Sequence, residues 1–154
     1  MFSHVMFGVN DIEASRRFYD AVLGTLGISP GAANKHRYFY RTPTGTFAIT
    51  TPINGEPATH GNGSTIGFAV QSAEQGDAFH AAGIANGGTT CEEPPGFRDG
   101  PAGNYYLAYL RDPDGNKICA LHRPAKTAPR RQPPAHGASG AQLQAIFGAW
   151  WLQG

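Results

Sequence analysis

The 154-residue chain is 40% hydrophobic and only 15% charged, with a formal net charge of +1. That length suffices for one domain with a proper core, and so small a charge supplies no global field to draw in nucleic acid or anionic lipid. No run approaches the length of a membrane span, and Met1-Phe2-Ser3-His4-Val5 offers neither the basic leader nor the apolar stretch of a secretion signal. Cys91 and Cys119 are the two cysteines and lack CxxC spacing. They read as reduced thiols of a cytoplasmic protein, with a single disulfide as the alternative.

In chain order, Phe2 to Val9 alternates as a strand, with Phe7 and Val9 on one face and His4, Met6 and Gly8 on the other. Asn10-Asp11 supplies a helix cap, and Ile12, Phe18, Tyr19, Val22, Leu23 and Leu26 recur at helical spacing up to Gly27. Arg37 to Arg41 and Thr46 to Thr51 then form a hairpin about Pro43-Thr44-Gly45. A Gly/Pro/Asn-rich connector, Asn54 to Gly63, precedes a second start at Ser64. There Thr65 to Val70 reads as a strand, Ser72 caps a helix that turns Phe79, Ala82 and Ile84 to the core, and Cys91 to Gly103 is an inserted stretch. Tyr105 to Leu110 and Lys117 to His122 are strands about the turn Asp112-Pro113-Asp114-Gly115.

The chain therefore repeats itself. At an offset of 61, Phe7 falls on Phe68, Val9 on Val70, Phe18 on Phe79 and Gly27 on Gly88. Further on, at an offset of 70, Arg41 to Gly45 falls on Arg111 to Gly115. Two copies of one module predict an α+β fold with helices on one face of a curved sheet. The modules span about 1–54 and 64–124 within a domain of residues 1–124. Residues 125–140, with Pro129-Arg130-Arg131-Gln132-Pro133-Pro134, read as a linker. Residues 141–154 read as a short amphipathic helix carrying Trp150 and Trp151, either docked on its own domain or bridging to a partner.

His4 on the first strand, Asn10-Asp11 before a helix bearing Phe18-Tyr19, and Asp112-Pro113-Asp114-Gly115-Asn116-Lys117-Ile118 together resemble the vicinal oxygen chelate superfamily, the glyoxalase, bleomycin-resistance and extradiol-dioxygenase group. The resemblance runs over residues 1–124. It implies two βαβββ modules forming a cup with helices outside, and a divalent metal held by His or Glu/Gln from the first and last strands of each module. Such ligands leave open positions where neighbouring substrate oxygens bind and are polarised.

Carried over by the internal offsets, the four metal positions fall on His4, Ile49, Thr65 and Cys119. Only His4 suits a metal; Ile49 has no donor atom and Thr65 is a poor neutral ligand. A one-residue slip in register would turn Thr50 inward instead of Ile49, and His60 and Glu56 lie on loops near the cup. No cofactor is therefore expected, with a divalent metal as the minor alternative. His4 is the best general-base candidate, and Cys119 the second catalytic candidate, although no charged neighbour on its strand favours a thiolate. Tyr38, Tyr40, Phe47, Tyr105 and Tyr106 on the strands, with Arg98 in the inserted loop, are the candidate ligand-binding residues.

The sequence thus predicts a glyoxalase/bleomycin-resistance-like protein with a small-molecule pocket and a degenerate metal site, acting as a binder or as a metal-independent enzyme. The alternatives are a metal-dependent lyase, isomerase or dioxygenase with non-standard ligands, and a non-catalytic interaction module using the tail helix. A small-molecule ligand is the expected partner, with no nucleic acid and no membrane, and a homodimer is compatible with the repeat.

Overall fold

A computed structural model describes residues 2–100 and 103–124; the linker expected at 125–140 and the helix expected at 141–154 lie outside the described residues. The first module runs β1 (His4–Gly8), α1 (Ile12–Gly24), β2 (Ala32–Asn34), β3 (Arg37–Thr42) and β4 (Gly45–Thr50). The second runs β5 (Ile66–Ala69), α2 (Ala73–Ala85), β6 (Thr89–Thr90), β7 (Gly96–Gly100), β8 (Gly103–Arg111) and β9 (Lys117–His122). The two helices are 13 residues each and begin at positions that the offset of 61 brings together.

Local chemistry sets these boundaries. The Asp11 carboxylate accepts the amide hydrogens of Glu13 at 3.1 Å and Ala14 at 2.9 Å, and the Ser72 hydroxyl accepts that of Gln75 at 3.2 Å. Each satisfies donors that the first helical turn leaves unpaired. Gly27, at φ +74°, takes the left-handed conformation that turns the chain away after α1.

In each module the first strand lies parallel to the last, giving sheet orders β1-β4-β3-β2 and β5-β9-β8-β6, with β7 also paired to β8. The expected α+β arrangement of two modules is present, as two open sheets ending on β1 and β5. Phe18, Tyr19, Val22 and Leu23 of α1 pack with Tyr40, Phe47 and Ile49 of the first sheet and with Phe79, Leu110 and Ile118 of the second in one buried core. Removing each large apolar side chain from water contributes about 1.5–3 kcal/mol. The Phe47 and Phe68 rings meet edge to face, centroids 5.4 Å apart, and so join the two sheets.

Three expectations need correction. The inserted stretch contains a strand, β7, held by backbone pairing to β8 from Gly96↔Leu107 to Gly100↔Gly103. The α2 face is rotated from that expected: Gly83 is buried, while Ile84 is 43% exposed. Glycine there admits Leu110, whose Cδ1 lies 2.7 Å from where a Cβ would stand.

The third concerns the internal ruler. Phe7 pairs with Ile49, but Phe68 pairs with Ala120, so the counterpart of Ile49 is Ala120 and that of Cys119 is Ala48. The cause is a longer turn in module two. Arg41 pairs with Thr46, whereas Arg111 pairs with Lys117.

Candidate functional site

Strand alternation sorts the first sheet into two faces. Tyr38, Tyr40, Phe47 and Ile49 turn toward α1: the Tyr38 hydroxyl donates to Glu13 at 2.7 Å and the Tyr40 hydroxyl to Asp20 at 3.0 Å. His4, Met6 and Gly8 share the opposite face with Thr46, Ala48 and Thr50 of β4 and with Arg41, Phe39 and Arg37 of β3, in three cross-strand rows. Ile49 therefore points away from His4, and the residue turned outward beside Thr50 is Ala48.

A cavity of about 520 Å³ opens between the start of β1, the β3–β4 hairpin and β5. His4, Tyr40, Thr46, Phe47, Ile66 and Phe68 are among its lining residues. Of the candidate site residues, His4, Tyr40 and Phe47 come together here. His4 is exposed at the mouth, its Nδ1 2.9 Å from the Ser3 hydroxyl. Tyr40 is buried; desolvation, then the charge of Asp20, pushes its phenol far above the ordinary range, so it acts as a hydrogen-bond donor and not as a base. Ile66 and Phe68 were not among the expected site residues, because only the meeting of the two sheets brings β5 to the first hairpin.

The other candidates lie elsewhere. Tyr106 packs against α2, where its hydroxyl donates to Asp77, and burial followed by that hydrogen bond raises its pKa to about 12. Tyr105 stands beneath the Arg123 guanidinium, 5.6 Å from its carbon to the ring centre. Arg98 donates to the carbonyls of Glu93 and Pro94 at 3.0 Å and of Leu107 at 3.3 Å, which clamps residues 93–94 onto β8.

Cys119 lies on the second sheet, in line with Tyr109 and Gly67. It is a free thiol, 5% exposed, and burial raises its pKa to about 11; Lys117, two residues back on the same strand, opposes the shift, which corrects the expectation that no charged neighbour there favours a thiolate. At neutral pH only about one molecule in ten thousand would carry the thiolate. Cys91 is also a free thiol. His60 bonds through Nδ1 to the Asp114 carbonyl at 3.2 Å, and His122 through Nδ1 to the Val70 carbonyl at 3.2 Å.

The donor set does not fit the metal that the fold implies. Of the matched positions, His4 offers imidazole, Ile49 or, by the corrected offset, Ala48 offers nothing, Thr65 offers a neutral hydroxyl, and Cys119 offers a single thiol on the other sheet. Among the described residues no three His, Cys, Asp or Glu side chains stand close enough to hold a metal ion.

A paired βαβββ architecture with a cavity beside the first-strand histidine defines a class. The family model described as Glyoxalase/Bleomycin resistance protein/Dioxygenase superfamily matches residues 1–120, and the chain belongs to that superfamily. A crystal structure of a glyoxalase/bleomycin resistance protein from Albidiferax ferrireducens T118 is 83% identical, with a TM-score of 0.79 over 80% of this chain and 99% of that one. A glyoxalase-related enzyme from Fulvimarina pelagi shares the fold at 22% identity, with a TM-score of 0.63 over 80% of this chain and 88% of that one. So does a glyoxalase/bleomycin resistance protein/dioxygenase family enzyme from Burkholderia phytofirmans PsJN, at 21% identity, 0.60, 78% and 96%. Among curated proteins nothing matches. No helix of the described residues is long and apolar enough to cross a membrane.

Proposed function

We propose that the protein binds a small organic molecule in the cavity beside His4, without the usual metal of its superfamily. The observation that carries this reading is the composition of the site: an apolar cavity bordered by one exposed imidazole and hydroxyl groups, with one good metal donor at the four matched positions. Apolar lining supplies affinity, while His4, Thr46 and the Tyr40 hydroxyl supply orientation. If the protein catalyses a reaction, His4 is the group placed to take or give a proton.

The proposal extends to a cytoplasmic protein, which the two free thiols support. It also includes a homodimer, supported by two sheets that end on edge strands, β1 and β5, whose outer sides are unpaired among the described residues.

A thermal-shift screen of aromatic and 1,2-dicarbonyl compounds tests the reading. Compounds that raise the melting temperature are expected to lose most of that effect in His4→Ala and Phe47→Leu. A screen without hits, or hits indifferent to both changes, contradicts it.

A further inference from the structure

The charge of this protein is sorted by its first sheet. The carboxylates of Glu13 and Asp20 lie on the α1 side, where Tyr38, Tyr40 and Arg16 hold them. The four strands of that sheet contain no Asp or Glu at all. On the face turned away from α1 stand Arg37 and Arg41, and neither is in an ion pair among the described residues. The Nε of Arg37 is enclosed and has no acceptor among the described residues. The second sheet differs: there Lys117 is paired with Glu92, and Arg98 and Arg111 spend donors on backbone carbonyls.

The uncommitted cations form an ordered surface. His4, Thr46 and Arg41 stand abreast in one cross-strand row, and Met6, Ala48 and Phe39 in the next. Strands lie about 4.8 Å apart and rows on one face about 7 Å, so a polar strip runs beside an apolar one across this face. The Arg41 guanidinium already lies over the Phe39 ring, 4.7 Å from its centre. His4 and Thr46 also line the cavity, so the polar row continues its mouth.

We infer that the ligand is a planar organic anion. Its carboxylate sits on the His4–Thr46–Arg41 row and its ring enters the cavity that His4 and Thr46 border, against Phe47 and Phe68. Guanidinium takes a carboxylate through two parallel hydrogen bonds, which a lysine ammonium cannot reproduce. This inference rests on the small-molecule reading above and narrows it to a ligand class.

Calorimetric titration of the full chain with benzoate and with benzamide, its neutral analogue, tests the inference. Benzoate should bind at least about tenfold more tightly than benzamide, the step expected from one charge-assisted pair. That preference should fall in the order wild type, Arg41→Lys, Arg41→Gln, while benzamide affinity stays level; Arg41 is exposed, so neither change endangers folding. Equal binding of the two probes, abolished by His4→Ala, would overturn the anion assignment and leave the small-molecule site standing. Absence of binding by either probe, with hits in the thermal-shift screen that His4→Ala weakens, would overturn the anion assignment alone. Failure of benzoate combined with a changed oligomeric state in Arg41→Gln would assign the face to a second copy of the chain and overturn the inference.

Discussion

The Tyr19 hydroxyl donates a 2.8 Å hydrogen bond to the carboxylate of Asp112, 93 residues away, and thereby ties the helix of module one to the last turn of module two. Both residues are buried. Asp112 also accepts the amides of Asp114 at 3.0 Å and Asn116 at 2.8 Å and the Asn116 side-chain amide at 2.9 Å. Next to it, Asp114 accepts from the backbone and side chain of Asn10, both at 2.8 Å, and from the Ser15 hydroxyl at 2.9 Å. The turn from Asp112 to Asn116 is therefore the clasp between the modules. Tyr19→Phe should cost about 1.5–3 kcal/mol in urea unfolding, because a buried carboxylate loses a donor. Tyr38→Phe, whose hydroxyl bonds Glu13 at the surface, should cost less than Tyr19→Phe.

Burial raises the pKa of Asp112 despite its hydrogen bonds from Asn116 and Tyr19. An acid whose folded value lies above its unfolded value binds more protons when folded. Its contribution to stability is full below the unfolded value, about 3.9 for an aspartate, and is lost as pH rises through the raised folded value. The difference in unfolding free energy between wild type and Asp112→Asn should thus shrink as pH rises across that interval. A difference that widens with pH would mean that the folded value is depressed. Asp112→Asn should also be less stable than wild type throughout, since its amide faces the Asn116 amide.

Gly88 sits where α2 hands the chain to β6. A Cβ there would lie 2.6 Å from Cε2 of Phe18, 2.8 Å from the Arg111 carbonyl oxygen and 2.9 Å from that of Gly83. Two of these atoms are backbone and cannot swing aside, so Gly88→Ala should destabilise by about 3 kcal/mol. Gly24, at the end of α1, meets nothing within 4 Å. Gly24→Ala should stabilise by about 0.5 kcal/mol, through a less flexible unfolded chain. Thermal melts of the pair give the two signs.

Thiol labelling separates the cysteines. Cys91 is half-buried and Cys119 buried with a pKa of about 11. Iodoacetamide at neutral pH should modify Cys91 first, and Cys119 only on the timescale of unfolding. Rapid labelling of Cys119 in the folded protein would restore it as a nucleophile candidate.

The two-module plan was legible because its signals are local. Asp11 and Ser72 cap their helices, Phe18 and Phe79 hold equivalent places, and the alternation from His4 to Val9 set the faces of β1. What was not legible depends on how elements meet. β7 has Gly at both ends and pairs through its backbone, so composition hid it as a loop. The extra residue in the second turn shifted the ruler by one and put Ile49 where Ala48 belongs. The aromatic residues gathered as one pocket divide between two sheets, so that Tyr40 and Phe47 of the first reach the cavity while Tyr106 of the second turns to Asp77 of α2. The sorting of carboxylates and guanidiniums across the first sheet was invisible in a net charge of +1.

The central claim is that the superfamily scaffold is kept while its metal-binding set is not. Elemental analysis of the protein purified without chelator, alongside His4→Ala, tests this most directly. The account predicts metal well below one ion per chain, at the same level in both proteins. One ion per chain in the wild type, lost in His4→Ala, would contradict it.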